Sequence, residues 1–343
     1  MAGNARWKQR PEGSTWGDWG ADDQLGRLNL LTPQKALEGV AEVRAGRTFC
    51  LSLPLDLPGG SVLNPRRWPP KLRPTIREQR PLFNYPLERE DARLTDVISD
   101  DTVLMCTQYS TQWDSLAHVG STFDADGDGV AERVYYNGFR ADEHVQAPAA
   151  GGETSAARSL GVENMAAKCI QGRAVLVDLE KHFGDTRRFV TRADLEGVMK
   201  ADGVVVEPGD MLCLNTGFGR MLMARDGTPS EHDLHHTYAV LDGRDPTLLD
   251  WITDSGIAAL IADNYAVEGL PARPPADGGH RHAFLPIHEH CLFKLGLNLG
   301  ELWYFSELAD WLRANGRSRF LLTAPPLRLR GAVGSPASPI ATV

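Results

Sequence analysis

The stretch YSTQWDSLAH, residues 109–118, carries more information about the fold than any other part of the chain. It brings together Gln112, Asp114 and His118, three side chains that can act as metal ligands. Alternate side chains of an extended strand point to one face, so Gln112 and Asp114 should share a face. An amide oxygen, a carboxylate and an imidazole can together hold a divalent ion. Without further information, a capping aspartate and a hydrogen-bonded core histidine would account for these residues more simply.

The same stretch resembles the metal-binding signature H-G-T-H-x-D-x-P-x-H of the cyclase family, the metal-dependent hydrolases that include bacterial kynurenine formamidase and isatin hydrolase. The Thr, the Asp and the last His of that signature are matched by Thr111, Asp114 and His118. The first His, the second His and the Pro are replaced by Tyr109, Gln112 and Leu116. Two of the usual metal ligands are therefore absent from the signature itself.

Further segments resemble the longer members of this family, and their order and spacing cover nearly the whole chain. They are WGDWGADDQLGRLNLLTP (16–33), YYNGF (135–139), GVENMAAKCIQGRAVLVDLEKHFG (161–184), GDMLCLNTGFG (209–219) and APPLRLRGAVGSP (324–336). The resemblance implies an α/β fold with a mixed β core of the swivelling β/β/α type and helices packed around it. It also implies one domain over residues 1–343, in a homodimer or homotetramer whose N-terminal segments cross between subunits.

The local patterns agree with an α/β fold, because short apolar runs alternate with helical patterns. Strands are predicted at 102–109, where one would deliver the opening motif, and at 175–180, 211–217 and 257–263. Helices are predicted at 33–43, 155–168, 191–201, 246–255, 286–295 and 306–315. Residues 1–32 form a polar N-terminal segment, and 54–80 form a proline-rich arm that suits a crossing between subunits.

The resemblance implies that His288 and Glu301 complete the site begun by the opening motif. The predicted metal ligands are Gln112, Asp114, His118 and Glu301, and the predicted catalytic residues are His118, His288 and Glu301. Tyr109 and Trp113 are predicted to form an aromatic wall for a planar substrate, although core packing explains them equally well. Asp263 and Asn264 end a predicted buried strand, where ligands often meet α/β sheets, and with Glu268 they are further candidates for the pocket.

The expected cofactor is a divalent metal ion, manganese or zinc. Replacing two imidazoles by Tyr109 and Gln112 should weaken zinc binding and favour an ion that prefers oxygen ligands. Such an ion would activate water for hydrolysis of a non-peptide carbon–nitrogen bond in a formamide, a lactam or a cyclic amide. One alternative is a metal-independent lyase, dehydratase or cyclase that uses His118 and His288. The other is a non-catalytic ligand-binding protein that has lost its metal ligands.

Composition limits the partners and the compartment. The net charge of -9 disfavours nucleic acid and anionic membranes and favours a small-molecule substrate. The five cysteines are scattered and form no C-x-x-C pair, which is typical of a reduced, cytoplasmic protein. No run approaches about 18 apolar residues, so no membrane span is expected.

Two polar motifs have simpler explanations than ligand binding. DADGDG (124–129) resembles the start of an EF-hand calcium loop, but the twelfth position would be Tyr135 instead of Glu, which favours a polar turn. HRH (280–282) lies in a region rich in Gly and Pro and is interpreted as a loop, although His280 or His282 could line the mouth of the pocket.

Overall fold

A computed structural model describes residues 6–275, 278 and 281–343 of the chain. Its centre is a nine-stranded sheet in the order β1-β9-β7-β3-β4-β5-β6-β2-β8. The strands are β1 Thr48–Cys50, β2 Gln112–Asp114, β3 Gln171–Asp178, β4 Met211–Asn215, β5 Ala259–Ala262, β6 Asn298–Glu301, β7 Arg319–Thr323, β8 Gly334–Pro336 and β9 Ile340–Thr342. Strands β3 to β6 run parallel, whereas β2 is antiparallel to both β6 and β8. The sheet is therefore mixed, and the predicted α/β fold with a mixed β core is confirmed.

Helices pack around this sheet, and their boundaries follow capping residues. They are α1 Pro33–Ala41, α2 Val162–Lys168, α3 Leu179–Phe183, α4 Arg192–Asp202, α5 Phe218–Arg225, α6 Glu231–His235, α7 Pro246–Ser255, α8 Pro286–His288 and α9 Ser306–Ala314. The Thr32 side chain accepts a hydrogen bond from the first turn of α1, and Asp245 does the same for α7. Each is followed by proline in the first helical turn, which is why the sequence predicted both starts.

Two predicted helices differ from the structure in an informative way. The helix expected over 155–168 begins only at Val162, because residues 156–157 pair with 145–146 as short strands. The helix expected over 286–295 is α-helical only through His288 and continues as a π-helix over Glu289–Lys294. Turns of π-helix are rare, and they occur frequently at functional sites.

The sheet separates two apolar clusters, because successive side chains of each strand point to opposite faces. In β3, Val175 and Val177 belong to one cluster, and Ala174 and Leu176 belong to the other. The first cluster contains Ile287, Cys291, Leu292 and Leu295 of the helix that carries His288. The helix that carries His288 therefore packs on this face of the sheet.

The proline-rich arm continues well beyond its predicted end. Lys71–Pro74 pairs with Asp101–Leu104, Ile76–Arg77 with Arg80–Pro81, and Tyr85–Pro86 with Val97–Ile98. The strand predicted at 102–109 is therefore wrong: its first residues belong to the arm, and the opening motif has its own strand, β2. The strand Asp101–Leu104 of the arm is exposed on both faces. Its sequence therefore has no alternation of buried and exposed residues that would distinguish it from β2.

Strands from residue 48 to residue 342 contribute to the central sheet, while the single-domain organisation stays a prediction. Smaller antiparallel or parallel pairs lie outside it: Ser121–Phe123 with Glu132–Val134, and Arg188–Val190 with Ala239–Leu241. Short 3-10 turns occupy Gly26–Leu30, Leu87–Arg89 and Tyr136–Gly138. Within the described part of the chain, no helix combines the length and the apolar character that crossing a membrane requires.

We expect Gly26→Ala to destabilise the protein strongly. Gly26 has φ +56°, and a Cβ there would lie 2.1 Å from the carbonyl oxygen of Gly296, at the turn that follows the π-helix. Gly46 also has a positive φ, of +66°, but a Cβ there would meet nothing within 4 Å. In Gly46→Ala the free energy of unfolding should fall only by the cost of a left-handed backbone, roughly 1–2 kcal/mol. In Gly26→Ala it should fall by roughly 3 kcal/mol or more. Urea unfolding of both variants measures the difference, and equal losses would contradict the close approach.

Candidate functional site

Strand β2 presents two polar side chains of the opening motif on one face of the sheet. In the pairing with β6, Gln112 lies opposite Glu301 and Asp114 lies opposite Leu299. The Gln112 amide donates a hydrogen bond of 3.2 Å to Oε2 of Glu301. Gln112, Asp114 and Glu301 are each at most 2% exposed. The alternation of side chains along β2 therefore places Gln112 and Asp114 on one face. The register of β6 against β2 places Glu301 next to Gln112 on the same face.

His288 connects three buried carboxylates. Its Nδ1 lies 2.8 Å from Oε1 of Glu268, its Nε2 lies 2.9 Å from Oε1 of Glu301, and the same Nε2 lies 3.8 Å from Oδ2 of Asp114. Glu268 also accepts hydrogen bonds of 3.0 Å from the backbone N–H groups of Ile287 and His288. Glu268 therefore fixes both the start of the helix and the orientation of the imidazole ring.

His118 reaches the cluster because the chain turns directly after β2. Its backbone N–H donates to the carbonyl of Ser115 at 3.0 Å, which closes this turn. The rings of His118 and His288 have centroids 6.2 Å apart. Asp114, His118 and His288 each offer one ligand atom, and these atoms lie within 4.8 Å of one another. This spacing is compatible with one shared cation.

Burial and charge move the proton affinities of these groups apart. Burial lowers the pKa of His118, so its imidazole stays neutral at neutral pH. Burial opposes protonation of His288 as well, but hydrogen bonds to Glu268 and Glu301 raise its pKa to about 10. Burial raises the pKa of Asp114, and the negative charge of Glu301 raises it further. One neutral imidazole and one imidazolium therefore face each other across the site.

The donor set fits a divalent cation. Asp114 Oδ2 and Gln112 Oε1 are buried, and each lacks a hydrogen-bond partner within the described residues. A buried acceptor without a partner costs about 1–3 kcal/mol, so such atoms indicate a missing ligand. The three carboxylates of Asp114, Glu268 and Glu301 face one imidazolium, which leaves two negative charges when all are ionised. A divalent ion would balance that charge.

Two contributing residues were not predicted from the sequence. The side-chain amide of Gln108 donates a hydrogen bond to Oδ1 of Asp114, and the backbone carbonyl of Gln108 accepts one from Arg67. Gln108 lies one residue before the motif, and a single glutamine at that position forms no pattern that points to a site. Arg67 comes from the arm, far away in sequence, and only the fold brings it near.

Tyr109 does not contact Asp114. Its hydroxyl donates to the carbonyl of Gly60 at 2.8 Å, and its ring lines a small cavity together with Arg67 and Tyr265. Burial raises the pKa of Tyr109 to about 12, so the phenol stays protonated. A phenolate ligand in place of the first signature histidine is therefore not available at neutral pH, whereas contact between Tyr109 and a substrate stays a prediction.

Three residues that were predicted to contact a substrate have other partners in the structure. Trp113 points to the opposite face of β2, where it is fully buried, packs 5.2 Å from the Trp303 ring and donates to the Ala324 carbonyl. Asp263 instead holds the start of α5, accepting hydrogen bonds from Thr216, Gly217 and Gly219. Asn264 donates to the carbonyls of Ala239 and Val267. In each case the polar group is hydrogen-bonded to backbone groups that the fold brings near and that the sequence pattern does not reveal.

A larger cavity, of about 550 Å³, is lined by chain neighbours of the two histidines. It is lined by residues that directly follow His118 and by residues on both sides of His288, including Val119, Leu285 and Glu289. His282 is one of the residues that line this cavity, and His280 lies outside the described residues. The smaller cavity near Tyr109 has a volume of about 10 Å³, room for roughly one water molecule.

The DADGDG loop forms the expected polar turn. Asp124 accepts hydrogen bonds from the backbone N–H groups of Gly127, Asp128 and Gly129. The carboxylates of Asp124, Asp126 and Asp128 lie close enough to one another to share an ion. This second acidic group matters for any measurement of bound metal.

Strands β2 and β6 of the mixed sheet present Asp114 and Glu301, and a turn and a helix add the imidazoles of His118 and His288. Comparisons with known proteins identify the family to which this α/β fold belongs. The Cyclase family model, whose description reads "Putative cyclase", matches residues 51–269. The chain therefore belongs to the cyclase family, and the resemblance noted in the sequence is confirmed. No curated protein sequence matches the chain.

Solved structures show the same fold over nearly the whole chain. The crystal structure of a novel cyclase is 30% identical, covers 96% of this chain and 97% of its own, and has a TM-score of 0.74. Isatin hydrolase A from Labrenzia aggregata, bound to benzyl benzoate, is 14% identical over 90% of this chain and 98% of its own, with a TM-score of 0.55. An isatin hydrolase bound to the product analogue thioisatinate is 14% identical over 91% and 99%, with a TM-score of 0.54. At this identity the isatin hydrolases establish the shared fold alone.

The helix that presents His288 also makes the protein sensitive to acid. Burial lowers the pKa of His290, on the π-helix, to about 4 from 6.5, and its Nε2 lies 2.9 Å from Thr253 Oγ1. Below pH 6.5 the unfolded chain therefore takes up a proton that the folded protein refuses. The stabilisation is complete above about pH 6.5 and is lost as pH falls toward 4, by roughly 3 kcal/mol.

Urea unfolding between pH 7 and pH 4 tests this expectation. In His290→Gln the free energy of unfolding should fall less steeply with acid than in the wild type. His232→Gln, which changes an exposed histidine, serves as the control and should follow the wild type. Parallel pH profiles for wild type and His290→Gln would show that His290 does not stay neutral in the folded protein.

Proposed function

We propose that this protein is a metal-dependent hydrolase of a non-peptide carbon–nitrogen bond in a small formamide, lactam or cyclic amide. The observation that carries the proposal is the pair of buried, unpartnered oxygen atoms, Asp114 Oδ2 and Gln112 Oε1, beside His118. Membership of the cyclase family and the fold shared with isatin hydrolases support a hydrolase of this kind.

The ion would be held by Asp114 and Gln112, with Glu301 within reach of the same cluster. The neutral imidazole of His118 would lie beside it, with its single lone pair free to accept a proton. When bound, the ion would lower the pKa of a water molecule and polarise the scissile carbonyl. Gln112 contributes a neutral oxygen where the family signature has an imidazole, so the donor set favours manganese over zinc. Glu268 and Glu301 would keep His288 oriented toward the ion and the substrate.

The two histidines suit opposite proton transfers. His118 is neutral because burial lowers its pKa, so it can accept a proton from the attacking water. His288 is held protonated between Glu268 and Glu301, so it can donate a proton to the leaving amine. Water adds to the carbonyl carbon, the carbon–nitrogen bond breaks, and the products are a carboxylic acid and an amine. Pairs of groups with separated pKa values are typical of acid–base sites.

One observation favours a second candidate function. Both nitrogens of His288 already have carboxylate partners, at 2.8 and 2.9 Å, so this histidine is fully satisfied without an ion. A metal-independent lyase, dehydratase or cyclase would use His118 as base and His288 as acid in the same positions. It would need no donor from Gln112, and the unpartnered Gln112 oxygen argues against it.

Metal analysis of wild type and Asp114→Asn tests the proposal. The purified protein, dialysed after incubation with Mn²⁺, should retain about one equivalent that Asp114→Asn loses, because Asn removes the charge of the central ligand. Hydrolysis of isatin and of formanilide should be scored in parallel, with turnover in Asp114→Asn reduced by about 100-fold or more. Full activity of a wild-type protein that holds less than about a tenth of an equivalent would instead support the metal-independent candidate.

The acidic loop supplies the matched control. Asp126→Asn removes a carboxylate from the second possible cation group, Asp124, Asp126 and Asp128. It should leave the tightly held manganese and the turnover unchanged. If Asp126→Asn loses the ion and Asp114→Asn keeps it, the bound metal belongs to the loop, and the proposed metal site is wrong.

A further inference from the structure

The arm places an arginine beside the site without giving it an acidic partner. Arg67 is half-buried, and its guanidinium makes one hydrogen bond, to the backbone carbonyl of Gln108. No carboxylate of the described residues forms an ion pair with it. A guanidinium has five N–H donors, so most of its hydrogen-bonding capacity is unused. A partly desolvated arginine in this state is suited to binding an anion.

A second donor lines the same cavity. The hydroxyl of Tyr265 accepts a hydrogen bond of 2.9 Å from the Asn64 side chain. Its own O–H has no acceptor among the described residues, so it remains available to donate. Arg67, Tyr265 and the Tyr109 ring therefore line one small cavity that offers two donor groups and aromatic walls. Carboxylates are recognised by this combination of a planar guanidinium and a hydroxyl donor.

Arg67 is linked to the reacting groups through one residue, Gln108. Gln108 joins the two: its carbonyl accepts from Arg67, and its side-chain amide donates to Asp114. An anion on Arg67 would therefore be separated from Asp114 by one residue, Gln108.

We infer that Arg67 and Tyr265 bind a carboxylate group of the substrate, so that the protein hydrolyses amides that carry a carboxylate besides the scissile bond. The inference rests on the proposed function and specifies its substrate class. In the ligand-free structure the cavity measures about 10 Å³, which admits about one water molecule. The carboxylate would therefore displace that volume of solvent and move the exposed turn at residues 60–62 outward.

Matched formamides test the inference through turnover. Formanilide and its 2-, 3- and 4-carboxylate derivatives contain the same carbon–nitrogen bond and differ in the anionic group. In the wild type we expect kcat/KM for at least one carboxylate derivative to exceed that for formanilide by about 10- to 100-fold, the effect of a charged hydrogen bond. Arg67→Gln should abolish this preference mainly through KM, so that kcat/KM for the carboxylate derivative falls by about 10- to 100-fold more than kcat/KM for formanilide. Arg67→Lys should restore part of the preference.

The neighbouring arginine provides the control. Arg66 is exposed and carries the same charge, so Arg66→Gln changes the net charge equally without removing a cavity-lining group. It should keep the wild-type preference for the carboxylate derivative. If both Arg66→Gln and Arg67→Gln lose the preference, long-range electrostatic attraction would explain it without a binding site. That result would overturn the inference.

A binding measurement separates this inference from the proposed function. Benzoate and benzamide have nearly the same shape and differ in charge, and calorimetry on the manganese-loaded protein needs no turnover. Benzoate should bind wild type and Arg66→Gln at least about tenfold more tightly than benzamide, and Arg67→Gln should show no preference. Hydrolysis could fail entirely while this result holds, which would refute the reaction but keep the anion site. A preference that persists in Arg67→Gln would place benzoate elsewhere and overturn the inference.

Discussion

The structure depends on one constraint, which is the burial of three carboxylates around the imidazole of His288. Asp114, Glu268 and Glu301 are each at most 2% exposed. Buried charges are tolerated when they are paired and hydrogen-bonded, so each carboxylate requires a partner from another part of the chain. Glu268 is hydrogen-bonded to the start of the helix and to one ring nitrogen of His288. Glu301 is hydrogen-bonded to the other ring nitrogen and to the Gln112 amide. Four distant segments are thereby held in one register, and the remaining negative charge is what a cation would neutralise.

The sequence predicted the positions that follow from local periodicity or from the family resemblance. Gln112 and Asp114 share a face because strands alternate, and the same alternation should have placed Trp113 on the opposite face. Glu301 could be assigned only by resemblance, since its pairing with Gln112 depends on the register of β6 against β2. Arg67 could not be predicted at all, because a single arginine in a proline-rich arm has no pattern that points to a site. Long-range register and loop placement are the physical reasons for these gaps.

The replacements in the opening motif change the chemistry of the site without dismantling it. Gln112, which replaces the second signature histidine, brings a neutral amide to Glu301, and Gln108, which precedes the motif, brings another to Asp114. Each amide uses its N–H as a donor, and the carbonyl oxygen of Gln112 is left without a partner. An amide cannot titrate, whereas an imidazole can, so His118 and His288 carry the titratable nitrogens on which the proposed proton transfers depend. The proposed metal site has harder oxygen donors than the family signature implies.

The backbone around Glu268 shows how firmly this arrangement is imposed. Ala266 and Val267 adopt φ of +70° and +58°, in the left-handed region that non-glycine residues avoid. Such conformations persist only where the surroundings determine them, and they concentrate at functional sites. Gly243 leaves the space that Glu268 requires, because a Cβ there would lie 2.5 Å from its Oε2. Delivering one carboxylate to His288 thus accounts for both a strained pair of residues and a glycine in a separate loop. The local sequence around residues 243 and 266–268 accommodates the contact between Glu268 and His288. These residues lie outside the motif that first indicated the family.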